Sequence, residues 1–400
     1  MKKLITTLSA ATFVASSLMA MSINASKVDS DLSAISYDSK VWDGIKAQEV
    51  ILYPQTTIKL NDKTANKLNA ANSAKKAMVK AIYNDKDISF LIVWPDKTMN
   101  VQTGVKTTSY ADGFAIQVAS DASNPEKLPY IGMGSAGRPV AIYLEKAVQG
   151  FYEPDGGGNV FYQMNRNQTP FFDDELKAFD NKINMVGSNN YERAFVSEGF
   201  RSMTEIKDAT KKASNQRLGY KNGSWNGTLT RPLNDPYANL SDGKIAVAFA
   251  AWDGAKLGRD GIKNLSSWVA VTLDGKGADE ALVKATNEVV AGDAEAGKAA
   301  AVANGCTGCH QVSAADPINY MAPALMNVGG YTTAGYLRES LMEPSAVVVP
   351  GYNRNSHKNY AWYMVTDGKR TSTMPSYSWL DEKSMNDIIA YLQSLKVEVK

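Results

Sequence analysis

Only two cysteines and two histidines occur in 400 residues. Both cysteines fall in one short stretch, so no disulfide framework is available and no second cysteine pair exists to complete a structural zinc site. An excess of charge is missing too: 43 basic residues, of which Lys2 and Lys3 lie in the first three positions, face 41 acidic ones. Such a balance excludes a general basic face for nucleic acid or anionic lipid, and any docking surface must be a local patch. Beyond Met21 no segment approaches the roughly 18 to 20 uninterrupted apolar residues that a spanning helix needs, so no transmembrane anchor is expected in the mature chain. No nucleophile–base pair, phosphate loop, metal cluster or internal repeat stands out, which argues against an enzyme acting on its own substrate.

What is present begins with a leader. Met1-Lys2-Lys3 and the apolar run Leu4 to Met21, followed by Ile23-Asn24-Ala25, read as a secretory signal with cleavage after Ala25, Ala20 being the alternative. Export to the periplasm follows. The length suggests two or three domains and 44% hydrophobic content a globular chain. Between about Val41 and Leu273 short β-branched and aromatic runs recur at Val50 to Tyr53, Ile88 to Trp94, Phe114 to Val118, Val140 to Leu144, Ile245 to Trp252 and Trp268 to Leu273. Turn residues bound them, the pattern of a β-sandwich. Tyr152 to Ser188, with Gly156-Gly157-Gly158, reads as a long excursion from it. Asp274-Gly275-Lys276-Gly277 is a linker, Ala278 to Asn304 is alanine-rich with helical spacing broken at Gly292-Asp293, and Asp381 to Leu395 is an amphipathic helix. The expected division is a signal over 1–25, a mainly β domain over 26–277 and an all-α domain over 278–400.

The cysteines lie in Cys306-Thr307-Gly308-Cys309-His310, the C-x-x-C-H pattern of covalent c-type haem attachment. Two thiols at this spacing each form a thioether to one edge of the porphyrin, and the adjacent histidine is the proximal iron ligand. A thioredoxin-like dithiol has no use for His310, and a Cys2His2 zinc site would have to recruit His357, the other histidine, without the usual short spacing. The chain is therefore expected to carry electrons.

A haem iron needs a sixth ligand or an open position. Thr373-Met374-Pro375-Ser376-Tyr377, just before the closing helix, resembles the distal-methionine loop of class I cytochromes c. Ala322-Pro323-Ala324-Leu325 and the helix Tyr336 to Leu341 resemble the same family, which the chain matches over about Asp293 to Lys400. The resemblance implies that the Pro323 carbonyl orients His310 and that Met374 closes the iron. His357 is the alternative ligand, and Met321, Met326 and Met364 are further candidates.

Trp94-Pro95-Asp96-Lys97-Thr98, Gly132-Met133-Gly134 with Pro139-Val140-Ala141-Ile142, Ser197-Glu198-Gly199-Phe200 with Met203-Thr204, Gly223-Ser224-Trp225, and Val247 to Gly254 recur in the same order in another family. Over this region the chain resembles the ethylbenzene-dehydrogenase-type haem-binding domain, which includes γ subunits of molybdenum enzymes related to DMSO reductase. The resemblance implies a DOMON-like β-sandwich holding a non-covalent haem b between a methionine and a lysine, matched here by Met133 and Lys263. A lysine ligates only as the neutral amine, so its pKa must fall well below about 10.4. Lys146 and Lys256 are rival lysines and Met164 a rival methionine. Where the family often has tryptophans after the methionine strand, this chain has Tyr143-Leu144-Glu145-Lys146. The implied partners are molybdenum and iron-sulfur oxidoreductase subunits and a redox cytochrome or terminal oxidase. The alternative is a stand-alone periplasmic cytochrome c shuttle whose sandwich binds a small ligand or a partner protein.

Overall fold

The computed structural model describes residues 22–101, 108–148, 191–200, 202–206, 218–277, 279–356 and 359–399. The excursion expected over Tyr152 to Ser188, the rival residues His357 and Met164, and the expected leader up to Met21 lie outside them.

Among the described residues the N-terminal part has thirteen strands: β1 (Ser22–Lys27), β2 (Gln48–Pro54), β3 (Lys75–Tyr83), β4 (Asp87–Pro95), β5 (Gly113–Ala119), β6 (Val140–Lys146), β7 (Tyr191–Ser197), β8 (Thr204–Glu205), β9 (Leu218–Lys221), β10 (Ser224–Pro232), β11 (Ile245–Trp252), β12 (Asn264–Leu265) and β13 (Val269–Leu273). A short helix, α1 (Lys63–Ala70), interrupts the β2–β3 connection. The strands run in the order β8-β7-β6-β5-β11-β12-β2-β3-β4-β10-β9, and β1 with β13 tie β3 to β11 by a second route. The sheet thus closes on itself in the middle and carries two wings, β5 to β8 and β4-β10-β9. The wings face each other across a core where Phe90 meets Phe249 edge-on at 6.5 Å and Trp94 lies 5.6 Å from Phe114. All six runs read from the sequence fall in these strands, except that Trp268 stands just before β13. β3 was not among them, because Lys75, Lys76 and Lys80 interrupt its apolar residues.

β1 uses residues that a leader over 1–25 would remove. Ser22 to Ala25 pair in parallel with Ala270 to Leu273, and Ile23 and Ala25 are buried in the sandwich core. Cleavage after Ala25 would delete all of that pairing, whereas the alternative cut after Ala20 leaves the strand whole.

Alternate residues of β11 enter two different cores. Ile245, Val247, Phe249 and Ala251 fill the sandwich, while Ala246, Ala248, Ala250 and Trp252 belong to a second cluster on the opposite face. β5 and β6 divide the same way, Phe114, Ile116 and Tyr143 inward and Ala115, Val140 and Ile142 outward. A sheet buried on both faces needs a cover for the second. The C-terminal domain supplies it.

Among the described residues that domain comprises α2 (Glu280–Asn287), α3 (Ala294–Ala303), α4 (Cys306–Cys309), α5 (Val328–Tyr331), α6 (Ala334–Met342) and α7 (Glu382–Ser394); α5 was not expected, nor was a hairpin, β14 (Tyr363–Thr366) with β15 (Lys369–Ser372). The hairpin turns at Asp367-Gly368, both at positive φ, the backbone a two-residue turn demands. Asp381 caps α7 by accepting the Ser384 N–H, and the helix buries Met385, Ile388, Ile389 and Leu392 at the spacing read from the sequence.

The two domains share one apolar cluster, which runs from Tyr53, Ile58 and Tyr130 of the sandwich into Tyr331, Leu337, Tyr352 and Trp362. At Gly330 of α5 any side chain would run into the Tyr53 ring. Polar contacts fix the register: Asn327 Nδ2 donates to the Pro54 carbonyl at 3.1 Å and Ala136 N to the Val348 carbonyl at 3.1 Å. Arg138 of the sandwich clasps the buried Glu339 of α6 with both guanidinium nitrogens, at 2.6 and 2.7 Å.

Three outcomes are expected. If a leader is cleaved, the processed chain, analysed by intact mass or N-terminal sequencing, retains Ser22 to Ala25. Arg138→Ala leaves Glu339 buried with only Lys127, at 3.6 Å, to answer it, and lowers stability in urea titration by about 2–3 kcal/mol. Arg338→Ala, which opens a pair with the exposed Glu382, changes it by no more than about 0.5 kcal/mol.

Candidate functional site

The cysteine motif occupies one turn of helix. Gly305, at φ +76°, ends the approach from α3, and α4 then sets both thiols on one side before His310 leaves the helix in extended conformation. His310 Nδ1 stands 2.7 Å from the Pro323 carbonyl oxygen. Burial holds the imidazole below its ordinary pKa and so neutral, and donation from Nδ1 to that carbonyl leaves Nε2 as the ligating nitrogen. These residues line a cavity of about 250 Å³ that also receives Met374. The Met374 loop is held by Thr373, whose N–H donates to the Trp362 carbonyl, and by Tyr377, whose hydroxyl donates to the Asn304 carbonyl. Of the other methionines, Met321 reaches the same cavity at its exposed edge; Met326 and Met364 do not line it. Two thiols, a neutral imidazole and a thioether around one apolar cavity fit a covalently attached haem.

Sequence reasoning did not find the far wall of this cavity, because the other domain supplies it. Thr57 and Tyr130 line it from the sandwich. The Tyr130 ring packs 5.2 Å from Tyr336 and edge-on at 5.8 Å to Tyr352, and its hydroxyl lies 3.0 Å from Thr57 Oγ1. No local pattern marks Tyr130.

A second cavity, of about 160 Å³, opens on the outer face of β5, β6 and β11 and is lined by both Met133 and Lys263. Met133 sits in a turn closed by Gly134 N–H donating to the Tyr130 carbonyl at 2.9 Å. Its φ of +80° is left-handed backbone that a methionine adopts at a cost of order 1 kcal/mol. Lys263 follows a loop with Leu257 and Asp260 also at positive φ. Its Nζ donates to the Asp260 carbonyl at 3.1 Å and lies 5.6 Å from the centre of the Trp252 ring. Burial pushes its pKa down to about 8, in the direction an amine ligand requires. Of the rivals, Lys146 lines this cavity and its pKa is lowered by burial in the same way, to about 8, whereas Lys256 does not line it, its Nζ being bound to Asn72 Oδ1 at 2.6 Å. Met203, which stands in one of the family-like motifs, is a second methionine at the rim. A thioether and a buried amine in one apolar cavity fit a non-covalent haem.

The two cavities share a wall. Tyr130 faces the first, and Ile131 and Met133 face the second; Phe200 of the second packs 6.5 Å from Tyr352 of the first.

The fold also gathers three buried carboxylates that sequence reasoning missed, Asp96, Asp112 and Asp253. Lys75 bridges Asp96 and Asp253, at 3.2 and 3.3 Å. Asp112 accepts from the N–H groups of Gly254 and Asn100 and from Trp225 Nε1. The cluster is thus an internal lock between the sandwich wings. Burial pushes the Asp112 pKa up to about 7. Between about pH 4 and pH 7 the folded chain therefore keeps a proton that the unfolded chain has lost, and stability falls as pH rises. Asp112→Asn is expected to flatten that fall, measured by urea titration at pH 5 and pH 7.5.

The family comparisons agree with this geometry. The model described as Ethylbenzene dehydrogenase matches residues 39–264, and that described as Cytochrome c matches residues 294–396. No curated protein matches the chain. The first match takes in the Met133 turn and Lys263, the second the cysteine motif through α7. With more than half of its residues matched by the first model, the chain belongs to the ethylbenzene dehydrogenase family and joins that domain to a cytochrome c domain, as a haem-binding electron-transfer protein.

Proposed function

We propose that this protein is a periplasmic electron carrier with two haems, a covalent haem c held by Cys306, Cys309, His310 and Met374 and a non-covalent haem b held by Met133 and Lys263. It serves as, or like, the γ subunit of a molybdenum oxidoreductase. The observation that carries this reading is the shared wall: two cavities, each with a thioether and a nitrogen donor, lie on either side of the segment Tyr130 to Met133. Each haem supplies reversible one-electron transfer at its iron. The chain itself does the positioning. His310 is held by Pro323, Met374 by the loop before α7, and Met133 by the turn that places it in the second cavity.

The shared core favours a fixed distance between the centres over a swinging tether. A flexible linker gives only a high effective concentration, whereas Arg138–Glu339 and the tyrosines around Tyr130 hold the domains in one arrangement. Substrate turnover then belongs to a partner subunit carrying molybdenum and iron-sulfur centres, and the electrons leave to, or arrive from, a soluble cytochrome or oxidase. The family resemblance carries that last step.

A pyridine haemochrome assay is expected to give b-type and c-type haem in equal amounts. Met374→Ala abolishes the sulfur-to-iron charge-transfer band of the c haem, and Lys263→Ala strips or shifts the b haem while the covalent haem stays. Purification from the native host brings down a molybdenum-containing partner. Equal b and c haem without such a partner would leave a stand-alone shuttle, and c haem alone would remove the second centre.

A further inference from the structure

The second cavity holds one cation too many. Lys263 and Lys146 both line it, in walls otherwise made largely of Ile131, Ile142, Leu144, Phe195 and Trp252; Arg259 and Asp260 line it as well, but Arg259 is answered by Asp62 at 2.9 Å. Lys146, the last residue of β6, is 6% exposed, and its ammonium stands 5.2 Å from the centre of the Trp252 ring. Among the described residues it makes no hydrogen bond or ion pair. The carboxylates that act on it do so at a distance: Asp260 is exposed at the mouth, and Asp112 uses both oxygens on Gly254, Asn100 and Trp225. The sheet nevertheless makes room for it. Its cross-strand partner is Gly113, where an added Cβ would stand 2.7 Å from Lys146 Cγ. A buried ammonium that faces an apolar cavity and pairs with no carboxylate, Asp260 standing exposed at the mouth, is costly, and a packing role would be served better by leucine or methionine.

We propose that Lys146 anchors a carboxylate side chain of the tetrapyrrole held in this cavity. The proposal rests on the reading of the cavity as a haem site and adds a division of labour between its two lysines: Lys263 offers a neutral amine to the metal, and Lys146 an ammonium to a propionate. A carboxylate is the complement the site lacks, since a charge-assisted hydrogen bond there satisfies the ammonium and the cation–π contact with Trp252 backs it from behind.

The test uses the full chain with its covalent haem in place and the non-covalent haem extracted. It is titrated with metal-free protoporphyrin IX and with the dimethyl ester of the same porphyrin, binding being read from porphyrin fluorescence. Neither probe carries a metal, so Met133 and Lys263 cannot ligate either one. The native chain is expected to prefer the diacid. Lys146→Met lowers affinity for the diacid about tenfold to a hundredfold and leaves the ester unchanged, and Lys146→Arg keeps the preference. In the extracted form Lys146→Met is at least as stable to urea as the native chain, because it removes an unpaired buried charge; a merely structural lysine would be missed. Equal binding of diacid and ester by the native chain overturns the anchor. So does loss of a lysine–iron spectrum in haem-reconstituted Lys146→Met with its survival in Lys263→Met, which would make Lys146 the iron ligand. Failure of the native chain to bind either porphyrin sinks the cavity's reading as a tetrapyrrole site, and the anchor with it.

Discussion

Along β11 the side chains facing the sandwich are Ile245, Val247, Phe249 and Ala251, and those facing the other way are Ala246, Ala248, Ala250 and Trp252. The rest of the molecule depends on this division. Large residues on one face fill the space between the wings. Small residues on the other leave a shallow apolar bed, and such a bed is stable only when something covers it. Part of the cover is the cytochrome domain, packed through Tyr130, Tyr336 and Tyr352. The remainder is the cavity that Met133 and Lys263 share.

The same constraint explains why the domains are not beads on a string. Their apolar cluster is continuous, and its buried polar groups are answered across the boundary, Glu339 by Arg138 and the Pro54 carbonyl by Asn327. Electron tunnelling falls steeply with distance, so a carrier with two centres gains from a geometry that does not fluctuate. The wall between the cavities consists of the Tyr130 to Met133 turn and the Phe200–Tyr352 contact. Strain is placed there as well: Met133 is held at positive φ in a turn that an ordinary loop would fill with glycine or asparagine.

Local chemistry was legible in proportion to its locality. Cys306 to His310 is one turn of helix and the next residue, whereas the place of Pro323 beside His310 was legible only through the family resemblance. The periodicity of α7 and the β-branched runs of the sandwich were equally plain. The β14–β15 hairpin went unread although Asp367-Gly368 marks it. β3 went unread because its lysines break the apolar run, and β1 because its residues were read as the end of a leader.

By itself the sequence marked Cys306 to His310 as a haem-attachment motif, because two thioethers and a proximal ligand need only neighbours in the chain. Its motif order also determined the family of the β domain. Tertiary structure alone decided which distant residues meet. β6 and the loop after β11 converge so that Lys146 and Lys263 enter one cavity and Lys256 does not, and the domain interface puts Tyr130 into the wall of a site built by the other domain. The physical reason is that spacing along a chain specifies side-chain position over about one turn of helix or a few residues of strand. Beyond that, sheet register and the need to bury a second apolar face determine which groups share a space.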